Sequence, residues 1–135
     1  MSNISAKIIA DSISPQGIRI TSFEIEYPRF ILAELNTHRM LSKNSASSRA
    51  IPVAKMHEHI LAYGATPVHW GLNRPGMSAQ QELDGEAQST SKSLWNEAMV
   101  SAIHFSAELA ALGVHKQVSN RLCETFQTMK TVITG

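Results

Sequence analysis

The sequence predicts an α+β domain in which an N-terminal β-hairpin packs with a helical core. Two isoleucine-rich runs, residues 6–13 and 18–27, flank the segment Ser14-Pro15-Gln16-Gly17, and strand-turn-strand order of this kind is typical of a hairpin. Farther along, apolar and small residues recur with a 3.6-residue period over residues 83–112, which predicts one long helix. The length of 135 residues fits one domain over residues 1–135.

The composition is that of an ordinary globular protein. Hydrophobic residues make up 43% of the chain, charged residues 17%, and the formal net charge is +1. This charge gives no global reason to expect a nucleic-acid or membrane partner. The single cysteine, Cys123, excludes an internal disulfide and suits a reducing cytoplasm. Lys7 and Asp11 interrupt the N-terminal apolar run, so we expect neither a signal peptide nor a membrane span.

The order of apolar residues and the position of Pro28 predict the form of the second strand and of the helix after it. The apolar positions change parity between Ile20 and Phe23, which predicts a bulge or a change of partner strand near Ser22. Pro28 suits the first position of a helix over residues 29–36. We expect three apolar side chains of this helix to face the core: Phe30, Ile31 and Leu35.

Residues 36–52 show neither a helical nor a strand period, so we predict irregular backbone or a loop leading into a short helix. No acidic residue occurs between Glu34 and Glu58. The segment instead carries several hydroxyls and cationic groups, which suit an anionic ligand. The alternative interpretation is a solvated linker between two helices.

Helices are predicted for most of the remaining chain. Pro52 opens a helix that ends at Gly64, and its apolar face is expected to carry Val53, Met56, Ile60 and Leu61. His57 and His59 point about 200° apart on this helix, so they cannot share a metal. Residues 66–77 form a loop, and we expect Trp70 to attach it to the core.

The C-terminal part is predicted to contain three elements. Gly113 ends the long helix, a short helix covers residues 115–122, and residues 126–135 begin a strand or extended segment.

Two motifs carry a family resemblance. The run Thr37-His38-Arg39-x-x-Ser42-x-Asn44-x-x-Ser47-x-Arg49 resembles the signature Arg-His-Arg-x-x-Ser-x-Asn-x-x-Ser-x-Arg of the flavin-dependent thymidylate synthases. It departs from the family pattern at three positions: Thr37 replaces an arginine, Ser45 an acidic residue and Ala50 an aromatic residue. Later, the form His-Lys-Gln-x-x-Asn-Arg-Leu looks like the phage-type branch of the family and contains Arg121.

The resemblance implies a truncated version of the flavin-dependent thymidylate synthase fold, because family members continue beyond the point where this sequence ends. It implies reductive methylation of dUMP to dTMP with FAD as the cofactor and with methylenetetrahydrofolate and NADPH as co-substrates. It also implies a cytoplasmic homotetramer whose sites lie where subunits meet.

The implied FAD-binding residues are Thr37, His38, Arg39 and Ser45. The implied dUMP-binding residues are Glu34, Ser47, Arg49 and Arg121. No covalent nucleophile and no metal site is expected.

Two alternatives of a different class stay open. One is a catalytically inactive, truncated module that binds nucleotide or flavin. The other is a small helical interaction domain whose basic segment binds nucleic acid, although three fixed cations without a nearby aromatic platform favour this weakly. The thymidylate hypothesis requires the guanidinium groups of Arg49 and Arg121 to meet at one anion site.

Overall fold

The computed structural model describes residues 4–45, 51–76 and 81–135. Its strands are β1 (Ser5–Ile13), β2 (Arg19–Pro28), β3 (Ser42–Ser45) and β4 (Thr128–Thr134). Its α-helices are α1 (Leu32–Leu35), α2 (Val53–Tyr63), α3 (Gly85–Ala111) and α4 (Lys116–Ser119). Two 3-10 segments precede α1 and follow α4, at Arg29–Ile31 and Asn120–Phe126. The α+β prediction is confirmed.

Among the described helices, none has the length and apolar character needed to cross a membrane.

The predicted hairpin is formed by β1 and β2. At its turn, the backbone N–H of Gly17 donates to the carbonyl oxygen of Ser14 at 2.9 Å, and Gly17 adopts a φ of 85°, which glycine reaches without steric cost. Arg19 Nε donates to Asp11 Oδ1 at 2.8 Å, and the Thr21 hydroxyl donates to the same oxygen at 3.0 Å. These hydrogen bonds lower the pKa of Asp11 to about 2, so its carboxylate stays charged at neutral pH.

The irregularity predicted near Ser22 is present. The register of β1 against β2 shifts between Ile8 and Ala10, which leaves Ile9 as the extra residue opposite the step from Ser22 to Phe23. At the same point β2 acquires its second partner strand, β4. The change of apolar parity in β2 therefore coincides with both a bulge and a new neighbour.

The sheet has the strand order β1-β2-β4-β3, and every pairing is antiparallel. The strand predicted within residues 126–135 is β4, which lies inside the sheet. The prediction of irregular backbone throughout residues 36–52 is wrong for β3, where Ser42 pairs with Thr134 and Ser45 pairs with Thr131. The sequence of β3 has no alternation because all four of its side chains are polar, and the strand is held by backbone hydrogen bonds to β4.

The main apolar core lies between α2, α3 and the 3-10 segment Asn120–Phe126. Its buried members are Met56, Ile60, Met99, Cys123 and Phe126. The predicted limits of the long helix hold, since the Asp84 carboxylate accepts from the backbone N–H of Ala87 at 2.9 Å and Gly113 follows the helix end with a φ of 89°.

The loop after α2 is attached to this core through aromatic rings, as predicted for Trp70. Trp70 packs edge-on against Trp95 at 6.1 Å between ring centroids, and Trp95 packs in the same way against Phe126 at 5.6 Å. The Trp95 indole N–H also donates to the carbonyl oxygen of Ala65 at 2.8 Å.

Several side chains predicted to face the core are exposed instead. Phe30 is 48% exposed, Ile31 39% and Leu61 66%. The predicted helix over residues 29–36 begins as a 3-10 turn and continues for only four α-helical residues, too short to direct a continuous face inward. The strand β1 also exposes apolar side chains: Ile8, Ile9 and Ile13.

Adjacent residues of α2 test the core directly. Ile60 is fully buried, and Leu61 is 66% exposed. We expect Ile60→Ala to lower the free energy of unfolding by about 2–5 kcal/mol, because it leaves a cavity among packed side chains. Leu61→Ala should change it by about 0.5 kcal/mol or less. Urea denaturation of dilute protein measures both values, and equal losses for the two variants would contradict this core assignment.

His57 joins α2 to α3 through a buried polar contact. The Ser106 hydroxyl donates to the carbonyl oxygen of Ser119 at 2.8 Å, so it accepts from His57 Nε2, which lies 2.8 Å away. Burial of the imidazole lowers the pKa of His57 in the folded protein.

We expect this shift to make stability depend on pH. An unfolded histidine titrates at about 6.5, so at pH values below this the unfolded state binds more protons than the folded state. The contribution of His57 to stability is therefore fully present above about pH 6.5 and is lost as the pH falls through the lower folded pKa. His57→Gln should remove this component from denaturation curves measured between pH 5 and 8, and parallel profiles for the variant and the wild type would contradict it.

Candidate nucleotide site

Two of the predicted flavin-binding hydroxyls are already engaged within the protein. Thr37 Oγ1 donates to the carbonyl oxygen of Glu34 at 2.7 Å. Ser45 Oγ and Thr131 Oγ1 lie 2.7 Å apart, and Thr131 Oγ1 lies 2.7 Å from the Tyr27 hydroxyl. These contacts stabilise the turn after α1 and the pairing of β3 with β4. Thr37 and Ser45 therefore contribute to the local fold.

The other two predicted flavin-binding residues, His38 and Arg39, are exposed on the turn between α1 and β3. Lys43 of β3 stabilises this turn, since its Nζ donates to the carbonyl oxygen of His38 at 2.6 Å. The imidazole and the guanidinium are consequently displayed at the surface on an anchored turn. Such side chains can bind the phosphate oxygens of a ligand.

Arg121 lies at the start of the second 3-10 segment, where one carboxylate contacts two guanidinium groups. Arg121 Nη1 is 3.4 Å from Glu124 Oε1, and Arg29 Nε is 3.6 Å from the same oxygen. The Arg29 side chain is only 20% exposed, whereas that of Arg121 is 59% exposed. The two guanidinium groups therefore lie on the same side of the molecule, beside Glu124. The sequence did not predict that Arg29 lies near Arg121. Its position after Pro28 indicated only the start of a helix.

Ser47 and Arg49, the other predicted phosphate-binding residues, lie outside the described residues. The residues next to Arg49 in the sequence are described, and they form a contact: Asn120 Nδ2 donates to the carbonyl oxygen of Ile51 at 3.0 Å. Ile51 stands two residues after Arg49, and Asn120 immediately precedes Arg121. Asn120 is fully buried, so this hydrogen bond fixes the two segments together.

A cavity of about 380 Å³ opens beside Ile51, between α2 and the adjoining ends of β2 and β4. This volume is in the range of small-molecule sites, which combine apolar walls with a few convergent polar groups. The apolar lining comes from Ile51, Met56 and Met129. The ionisable lining comes from Glu26, Arg29, Lys55, His59 and Lys130.

Glu26 is the buried charged group of this cavity. Its side chain is 5% exposed, and Oε1 accepts a hydrogen bond from Thr128 Oγ1 at 3.1 Å. His59 Nε2 lies 3.8 Å from the same oxygen. Sequence reasoning missed Glu26, because a polar residue that alternates with Ile25 and Tyr27 is read as the solvent face of a strand. The outer carboxylate on that face, Glu24, does pair at the surface, with Lys130 at 3.7 Å.

Two buried side chains of nucleophilic type, Ser106 and Cys123, are structural. Ser106 is fully buried, and its hydroxyl proton is directed to a backbone carbonyl, so its contact with His57 is not a catalytic dyad. Cys123 is also fully buried, and burial raises the pKa of its thiol. Within the described ranges, no group of three potential metal ligands is close enough to hold an ion.

Comparisons with known proteins bear on this arrangement. No family model matches the sequence, and no curated protein matches it. Among solved structures, a UMP/dUMP methylase, PolB from Streptomyces cacaoi bound with 5-Br UMP, is similar with a TM-score of 0.78 and 15% identity over 99% of this chain and 72% of the methylase chain. The same methylase bound with 5-Br dUMP gives a TM-score of 0.71 and 13% identity over 98% and 73% of the two chains. This chain therefore shares its α+β fold with the methylase.

Proposed function

We propose that this protein is a flavin-dependent thymidylate synthase-like enzyme that methylates dUMP to dTMP, with FAD as the cofactor and with methylenetetrahydrofolate and NADPH as co-substrates. The observation that carries the proposal is the hydrogen bond from Asn120 to Ile51. Asn120 precedes Arg121, and Ile51 lies two residues after Arg49, so the bond joins the two segments that contain these arginines. The fold likeness to a UMP/dUMP methylase supports a nucleotide substrate of the same kind.

The phosphate is proposed to bind to Arg49 and Arg121, with Ser47 as a short donor. Guanidinium groups present planar pairs of N–H donors that match phosphate oxygens. Before a ligand binds, the Arg121 guanidinium contacts the Glu124 carboxylate at 3.4 Å. A carboxylate contact in an exposed position is weak, which leaves the guanidinium able to exchange that partner for a dianionic phosphate.

We assign the four residues of the proposed FAD site to two roles. His38 and Arg39 display cationic or donor groups at the surface and suit the flavin diphosphate. The hydroxyls of Thr37 and Ser45 are used internally, so we assign them to positioning the binding turn and strand. When bound, FAD would supply the hydride chemistry. The residues of the chain would bind and orient the nucleotide and exclude water from its ring.

Glu34 lies on α1 and is exposed. Its backbone carbonyl anchors Thr37, and its carboxylate is available to a ligand bound at the following turn. In the proposed site Glu34 would contact the nucleotide sugar, where a carboxylate is a suitable acceptor for a hydroxyl.

The proposal includes self-association, with a homotetramer as the expected state. Isoleucines of β1 and apolar residues of α3 are exposed, among them Ile13 at 66% and Phe105 at 56%. Burial of such side chains against other subunits would remove apolar surface from water. If the sites lie between subunits, side chains of a neighbouring subunit would also contact the ligand.

The second candidate function is a module that binds nucleotide without turnover. The specific observation in its favour is the internal use of the Thr37 and Ser45 hydroxyls at two flavin positions. Complementation of a thymidine-requiring strain separates the two functions, because only a working synthase supports growth without thymidine. The colour of the purified protein separates a flavoprotein from a colourless nucleotide-binding module.

The phosphate assignment is tested by Arg121→Gln and Arg49→Ala. Loss of a charge-assisted hydrogen bond to phosphate should weaken dUMP binding on the order of tenfold to a hundredfold for each variant. Isothermal titration calorimetry measures the affinity. Lys92→Gln, which removes an exposed cation from α3, is the matched control and should leave the affinity unchanged. Wild-type affinity in Arg121→Gln would exclude the phosphate role.

The flavin assignment is tested by Arg39→Ala. We expect lower FAD occupancy, because the variant loses an exposed guanidinium on the turn proposed to hold the diphosphate. The absorbance near the flavin maximum relative to the protein absorbance measures occupancy after reconstitution with excess FAD and removal of free flavin. Arg74→Ala removes an exposed guanidinium from a different loop and should retain full occupancy. Equal colour in the two variants would count against Arg39.

A further inference from the structure

We infer that Glu26 determines the base specificity of the proposed nucleotide site, by accepting a hydrogen bond from the N3–H of uracil inside the cavity. The inference rests on the proposed function for the presence of a pyrimidine nucleotide. It adds a specificity-determining residue and predicts preference for uridine nucleotides over cytidine nucleotides.

The position of the cavity connects it to the phosphate end of the site. Arg29 lines the cavity and also contacts Glu124, which holds Arg121. Ile51 lines the cavity as well, and its carbonyl oxygen is bound by Asn120. We therefore place the nucleoside of a nucleotide whose phosphate binds at Arg121 beside this cavity.

The chemistry of the cavity matches a uracil ring. The edge of uracil presents a carbonyl oxygen on each side of one N–H, so it requires an acceptor between two donors. Glu26 provides the acceptor, and His59 and Lys55 line the same cavity as donors. The apolar side chains of Met56 and Met129 provide contact surface for the faces of the ring.

Because the Glu26 carboxylate is buried, it should distinguish uracil from cytosine. Its side chain is 5% exposed, and the hydrogen bond from Thr128 Oγ1 restrains its orientation. Cytosine presents an unprotonated N3, and this acceptor would face the carboxylate oxygen without a proton between them. A buried polar group opposite the wrong partner is costly, so the cavity should reject cytosine.

The test compares three ligands on the full chain by isothermal titration calorimetry: dUMP, dCMP and N3-methyl-dUMP, which lacks the N–H. We expect dUMP to bind on the order of tenfold more tightly than either of the other two. Glu26→Gln should bring the ratio of dUMP to dCMP affinity close to one, because an amide can present either a donor or an acceptor.

Glu24→Gln is the matched control. Glu24 lies two residues earlier on the same face of β2, pairs with Lys130 at the surface and does not line the cavity. It should keep the wild-type preference for dUMP. The N3-methyl ligand is tested on the unaltered protein, so a folding defect in Glu26→Gln does not affect that result.

The outcomes separate this inference from the proposed function. Equal affinity for dUMP and N3-methyl-dUMP, or an unchanged base preference in Glu26→Gln, overturns the role of Glu26 and leaves the nucleotide site in place. Arg121→Gln should weaken dUMP and dCMP equally, because both carry the same phosphate. No measurable binding of dUMP to the wild-type chain overturns both proposals.

Discussion

The insertion of β4 between β2 and β3 is the constraint on which the remaining structure depends. Residues near the C-terminus pair with strands formed much earlier in the chain, and the segment entering β4 is tied in on several sides. The carbonyl oxygen of Gln127 accepts from the backbone N–H of Arg29 at 2.8 Å, and that of Phe126 accepts from Ala65 at 2.8 Å. The start of β4 thus fixes the end of β2 and the end of α2 relative to each other.

Polar groups occupy much of the buried interior around this strand. Gln127 and Thr131 are almost fully buried, as is Asn120. Gln127 Nε2 donates to the carbonyl oxygen of Asn120 at 3.0 Å, so each partner offsets the dehydration of the other. Hydrogen bonds are directional, whereas apolar contacts are not, and these bonds therefore define the exact position of the 3-10 segment that carries Arg121 and Glu124. The geometry of the candidate site follows from this buried polar network.

The residues of the proposed nucleotide site lie next to this buried polar network. Arg121 and Glu124 lie on the 3-10 segment Asn120–Phe126, and Arg29 both contacts Glu124 and lines the cavity that contains Glu26. A dianionic phosphate and a neutral base have opposite requirements, the first for exposed cations and the second for a dry, shaped pocket. In the proposed site, the guanidinium groups meet the first requirement and the cavity beside Arg29 meets the second. The motif turn with His38 and Arg39 is anchored separately, through Lys43 and Thr37.

The sequence by itself determined the elements whose signals are local: the Ser14–Gly17 turn, the limits of α2 and α3, and the strand near the C-terminus. It also pointed to the cationic positions of the motif, because side-chain type and spacing are visible without a fold. Only the tertiary structure decided that Ser42–Ser45 is a strand, that Arg29 accompanies Arg121, and that Glu26 is buried in a cavity. Each of these depends on a partner distant in sequence, and a polar residue looks the same in the sequence whether it faces water or a buried hydrogen-bond donor.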